Sequence, residues 1–187
     1  MTAKRVIPLI IIFAMFIVPR LSYSIVLNPT DEKIEEAVNL GIGSTMNIFG
    51  TDSIKPARFG DWPAGDGGIV ESKLIYLSII SSMRLRAGMP DASKDEIEAI
   101  INSPVMPIRV SSTKKIFNVI LKQQGKSIQP ARVEQAMQMP PSGPGSKVKS
   151  LKAYFNYADL DPMAKTEVIL IEDFGEIKFD VDFSKFD

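Results

Sequence analysis

The sequence predicts an α+β protein in which amino-terminal helices pack on a mainly antiparallel carboxy-terminal β-sheet or sandwich. Apolar residues recur at helical spacing up to Pro104, and from Val105 the pattern changes to period two. Clusters of Gly and Pro then separate the alternating runs. Helices and strands are therefore segregated along the chain, which is the pattern of an α+β domain. We read 25–187 as one such domain, mainly helical over 25–104 and mainly β over 105–187.

The first 24 residues read as a secretory signal peptide. Lys4 and Arg5 precede an apolar run from Val6 to Val18, and Pro19 leads into a polar exit with small Ser22 and Ser24. The run is about 13 residues long, short of the roughly 20 that a comfortable spanning helix needs. Cleavage is expected after Ser24, with no membrane span left in the mature chain. An uncleaved amino-terminal anchor is the alternative.

Thr30 opens the first helix as its N-cap, with Asp31 and Glu32 in the first turn and Ile34, Ala37, Val38, Gly41 and Ile42 on one stripe. Lys55 to Gly68 holds four Gly, two Pro and the only Trp, in the string FGDWPAGDGG, and is expected to be an irregular loop. Ile69 to Arg86 fits both periods. Its length, and its ending in Arg84, Arg86, Gly88 and Pro90, favour a largely buried helix. Ser93 and Glu96 match a capping box for a short third helix that closes before Pro104.

Six strand segments follow. Pro107 to Ser111 is expected at a sheet edge because Pro lacks the N–H that a ladder requires. Lys115 to Gln124 sets Phe117, Val119 and Leu121 against Asn118, Lys122 and Gln124, and Gln124-Gly125-Lys126 turns the chain into Ser127 to Glu134. Met139 to Lys147 is a Pro- and Gly-rich loop within the domain. Leu151 to Tyr157 alternates, Thr166 to Glu172 is apolar on both faces like a central strand, and Asp173-Phe174-Gly175 is a hairpin turn. The last strand directs Ile177, Phe179, Val181 and Phe183 inward, and Glu176, Lys178, Asp180 and Asp182 outward.

Composition limits the chemistry. Losing Lys4, Arg5 and Arg20 with the leader leaves 22 acids against three fewer bases, a net charge near −3. That gives no basic footprint for nucleic acid. Cysteine is absent, so the exported chain has neither disulfides nor a lipobox thiol, which leans towards a bacterial periplasm or surface. Histidine is absent too, which removes Ser-His-Asp and Cys-His nucleophiles and every imidazole or thiolate metal ligand. Carboxylate chemistry, Ser-Lys chemistry and all-oxygen metal sites survive. The Ser/Lys pairs Ser111/Lys114, Ser112/Lys115 and Ser146/Lys149 fall outside the predicted helices, and the acids around Asp66 lack the alternating ligands of a calcium loop. No metal or cofactor is expected.

The candidate ligand-binding residues are Asp61, Trp62 and Asp66. A loop aromatic flanked by carboxylates suits stacking on a sugar or anchoring a partner, whereas the alternative makes Trp62 a lid on the helix–sheet junction. The expected function is a non-catalytic, exported binding or assembly module that recognises an envelope protein or a cell-wall glycan. The enzymatic alternative is a carboxylate-based envelope hydrolase acting on glycan, with Asp61, Asp66 and Glu71 as its first candidates.

Overall fold

The computed structural model describes residues 25–44, 48–136 and 148–185. The expected signal peptide and the loop Met139 to Lys147 lie outside these residues. Among the described residues, three α-helices, α1 (Asp31–Gly43), α2 (Lys73–Arg86) and α3 (Lys94–Ile101), accompany nine strands in two antiparallel sheets. The strands are β1 (Arg58–Gly60), β2 (Gly67–Val70), β3 (Val105–Ser112), β4 (Ile116–Gln123), β5 (Lys126–Ile128), β6 (Arg132–Gln135), β7 (Lys149–Asn156), β8 (Lys165–Glu172) and β9 (Gly175–Asp182). Their order is β1-β2-β3-β7-β6 in one sheet and β5-β4-β8-β9 in the other. The α+β class is as the sequence predicts, and the two sheets form a sandwich. No helix among the described residues is long and apolar enough to cross a membrane.

The core lies between the sheets. Met106, Ile108 and Val110 of β3 and Ala153 and Phe155 of β7 face Val119 and Leu121 of β4 and Val168 and Leu170 of β8, each fully shut off from water. Phe59 of β1 meets Phe179 of β9 across the gap, with ring centroids 5.2 Å apart. Burial on this scale, at about 25 cal/mol per Å² of apolar surface, is what holds a disulfide-free chain together.

Helix α2 lies on the outer face of the five-stranded sheet, and α1 and α3 pack against α2. Thr30 caps α1 by accepting from the Lys33 amide, and Ser93 and Glu96 close a complete capping box on α3. Helix α2 is buried on most sides: Ile75 and Ile79 join the main core, while Ser78 and Ser81 face α1. The Ser78 hydroxyl donates to the Ala37 carbonyl at 2.8 Å, so a small polar side chain lets the two backbones come close. Gly41 completes that approach, because a Cβ there would lie 2.4 Å from the Ser78 carbonyl oxygen.

Five expectations need correction. The segment expected to be irregular from Lys55 to Gly68 contains a β-hairpin, with Arg58 opposite Ile69 and Gly60 opposite Gly67. Its glycines mark close approach: a Cβ on Gly68 would lie 2.4 Å from the Phe59 ring. The helix expected from Ile69 begins at Lys73 instead, because Gly67–Val70 pairs with β3. Pro107 sits in an interior strand, between β2 and β7, not at an edge. It is tolerated because β2 gives out there: Glu71 donates its amide to the Pro107 carbonyl, and the reciprocal bond would need the N–H that Pro lacks.

Phe117 points outward and is 51% exposed, because a bulge between Ile116 and Asn118 shifts the register and puts Ile116 inside in its place. The run from Ser127 to Glu134 is two strands, not one. Beyond the turn at Gln124 and Gly125, both at positive φ, β5 pairs with β4; the chain then passes Pro130 and changes sheets, so that β6 pairs with β7.

Candidate functional site

Strand register places the polar outward residues of the five-stranded sheet in two rows. One row crosses four strands through Ile69, Arg109, Lys152 and Glu134. The next runs through Glu71, Pro107, Tyr154 and Arg132. Alternation along β7 puts Lys152 and Tyr154 on this face while Leu151, Ala153 and Phe155 fill the core. Helix α2 roofs part of the face with Lys73 and Tyr76, and the end of α3 contributes Ala99 and Ile100.

What remains open between roof and sheet is a cleft of about 330 Å³. Its apolar wall is Ala99, Ile100, Val105 and Pro107, and its polar wall is Glu71, Lys73, Arg132 and Lys152 with Tyr76, Tyr154 and Tyr157. Glu71 is completely buried and carries two ion pairs, one from Oε1 to Arg109 Nε at 2.8 Å and one from Oε2 to Lys152 Nζ at 2.7 Å. One carboxylate thus serves two cations.

The cations of the cleft rest on aromatic rings. Lys152 Nζ lies 4.6 Å from the Tyr76 ring centroid, Arg132 lies 4.2 Å from that of Tyr154, and Lys73 Nζ lies 5.1 Å from that of Tyr157. Such contacts hold a cation in place through the ring quadrupole without cancelling its charge. Lys73 Nζ also donates to the Leu27 carbonyl at 2.6 Å. Burial pulls the Lys73 ammonium below the ordinary lysine range. Burial pushes the Tyr76 phenol up, with the Glu71 charge adding to it. The Tyr154 phenol is raised by burial and by donating to Glu134 Oε2 at 2.9 Å.

The residues singled out from the sequence do not converge. Trp62 is 2% exposed, edge-on to Phe49 with centroids 5.1 Å apart, and so offers no open face to a ligand. That is the lid arrangement, with Arg58 over the indole at 5.6 Å and donating to the Trp62 carbonyl. Asp61 is exposed at the hairpin turn, where its carbonyl accepts from the Ala64 and Gly65 amides. Asp66 ties that turn to the end of β3, accepting from the Ser112 hydroxyl at 2.9 Å and the Thr113 amide at 3.1 Å.

Asp66 and Glu71 flank opposite ends of β2, which puts their backbones about 16 Å apart at the usual strand rise. Opposed carboxylates for glycoside hydrolysis sit roughly 5 to 10 Å apart. Among the described residues no three acids gather in a way that would hold a metal ion. Ser111 and Ser112 commit their hydroxyls to Gly65 and Asp66.

Glu71 is thus a site residue in a different role from the one its sequence context suggested, as the buried counter-ion of two cations. Arg132, Lys152 and Tyr154 escaped the sequence reading because outward polar positions on a strand ordinarily meet water, and Lys73 because it opens a helix whose buried face is apolar. The signal that could have found them is Lys and Tyr at alternate positions of a strand in a chain with enough helix to cover one sheet face. Comparison with protein-family models, with curated proteins and with solved structures finds no match to this chain.

Proposed function

We propose that this chain is an exported, non-catalytic binding module of the bacterial cell envelope, and that the cleft under α2 and α3 is where it takes its ligand. The observation that carries this reading is the set of three cations, Lys73, Arg132 and Lys152, each fixed on a tyrosine ring around one concavity. Holding charged side chains in place before a ligand arrives removes much of the ordering cost of binding. Export is supported by the leader-like first 24 residues, and a bacterial envelope by the absence of cysteine from an exported chain.

The shape favours a glycan fragment or similarly small ligand over an envelope protein. A stable protein partner ordinarily covers about 800 Å² on each side, whereas a concavity near 300 Å³ is at the small end of ligand pockets. The carboxylate hydrolase draws no support from the site, since Glu71 is neutralised by Arg109 and Lys152 and stands apart from Asp66.

The test is a comparison of capture from envelope extract by the mature protein and by Ala99→Trp. Ala99 lines the cleft from an exposed position, so the indole fills the mouth without touching the core. Envelope glycan retained by the wild type and lost by the variant is the expected result. Equal retention by both would remove the cleft as the site. Shortened glycan released by the wild type alone would replace a binding module with a hydrolase.

A further inference from the structure

Building on that reading, we infer that the group recognised in the cleft is an oxyanion, a phosphate or carboxylate carried on a small polar ligand, and that Lys73 and Arg132 hold it. The charge inventory supplies the argument. Lys73, Arg109, Arg132 and Lys152 stand against Glu71 and Glu134. Glu71 is occupied by Arg109 and Lys152, and Glu134 by Arg132 and the Tyr154 hydroxyl. Lys73, only 9% exposed, has the Leu27 carbonyl and the Tyr157 ring as its partners, and neither carries a charge.

A buried ammonium held by uncharged groups keeps its field, and burial already works against its protonated form. An arriving anion restores what that burial costs. The apolar wall of Ile100, Val105 and Pro107 strengthens the interaction by keeping the local dielectric low. The same wall gives the uncharged body of the ligand a surface to lie on. Arg132 offers a planar fork suited to two oxygens at once, and it lies at the rim, with its side chain 61% exposed, where a ligand enters.

The experiment is an amide NMR titration of the mature protein at constant ionic strength with four probes: inorganic phosphate, glucose 6-phosphate, glucuronate and glucose. The expected outcome is saturable shifts around Lys73, Ile100, Arg132 and Tyr154 with at least one anionic probe and none with glucose. Whether the phosphate or the carboxylate sugar binds tells the two sources of the anion apart. Lys73→Met and Arg132→Gln should each weaken binding at least tenfold, and Lys122→Met on the other sheet should leave it unchanged. Arg132→Gln lies at an exposed position and keeps the fold even where Lys73→Met does not. Equal shifts with glucose, or anion binding that survives Arg132→Gln, would overturn the oxyanion inference while leaving a binding cleft in place. Silence from all four probes, together with undiminished glycan capture by Ala99→Trp, would overturn both.

Discussion

Glu71 Oε2 lies 2.7 Å from Lys152 Nζ, and the carboxylate that makes this contact is completely shut off from solvent. The pair joins the end of β2 to the middle of β7 across β3, and Arg109 of β3 reaches the other carboxylate oxygen. Removing one member of a buried ion cluster strands its partners, which typically costs about 3 to 5 kcal/mol. Glu71→Gln is therefore expected to lower the urea midpoint strongly, because Arg109 and Lys152 remain as two buried like charges. The double variant Glu71→Gln with Lys152→Met should recover part of the loss by removing one stranded charge. No recovery would mean that the two side chains contribute independently.

Trp62 is held by the Phe49 ring and by the Arg58 guanidinium. Its emission should be blue-shifted and protected from aqueous quenchers in the isolated protein. Truncating a large buried aromatic costs about 3 to 5 kcal/mol, so Trp62→Ala should shift the unfolding midpoint while leaving occupancy of the cleft by an anionic sugar unchanged in the folded fraction. Red-shifted, fully quenchable emission would show that the hairpin releases the indole in solution.

Much of this architecture was legible because one face of each regular element meets the core and the other does not. The last strand shows it, with Val181 buried and Asp180 exposed as the alternation requires, and so does Ser93, whose capping box forms as its spacing implies. Legibility failed where long-range pairing overrode local composition. Arg58–Gly60 has too few residues to announce a strand, and it becomes one because Gly67–Val70 lies beside it. Lys152 reads locally as solvent-facing. It is 9% exposed because α2, some 75 residues earlier in the chain, covers the sheet face onto which it points. A site assembled between two layers leaves no local motif, which is why the cleft was hidden while the Trp62 loop drew attention.

Gly41 and Gly43 lie two residues apart at the end of α1 and should answer the same substitution with opposite signs. A Cβ on Gly41 would meet the Ser78 carbonyl at 2.4 Å and the Ser81 Cβ at 2.7 Å, both on α2, whereas one on Gly43 has nothing within 4 Å. Alanine improves helix propensity over glycine by up to about 1 kcal/mol, but forcing atoms into a closed contact costs about 1 to 3. Gly41→Ala should lower the melting temperature and Gly43→Ala should raise it slightly. A stabilising Gly41→Ala would mean that α1 and α2 stand farther apart than 2.4 Å allows.

Ile25 is 2% exposed and belongs to the main core, and two residues later the Leu27 carbonyl holds Lys73 at 2.6 Å. Any processing of the expected leader therefore has a downstream limit set by the fold: a cut after Ser24 keeps both contacts, and a cut after Leu27 removes a core side chain and frees the ammonium that faces the cleft. Amino-terminal sequencing of protein from the extracytoplasmic fraction should read from Ile25 or from a residue shortly before it. A chain engineered to begin at Asn28 should lose about 2 to 5 kcal/mol of stability through the vacated Ile25 site. It should also bind an anionic sugar differently from the chain that begins at Ile25, because Lys73 is no longer anchored. A native start at Asn28 with full stability would show that residues 25–27 contribute nothing to the core, and recovery of intact Met1 in the membrane fraction would replace cleavage with an amino-terminal anchor.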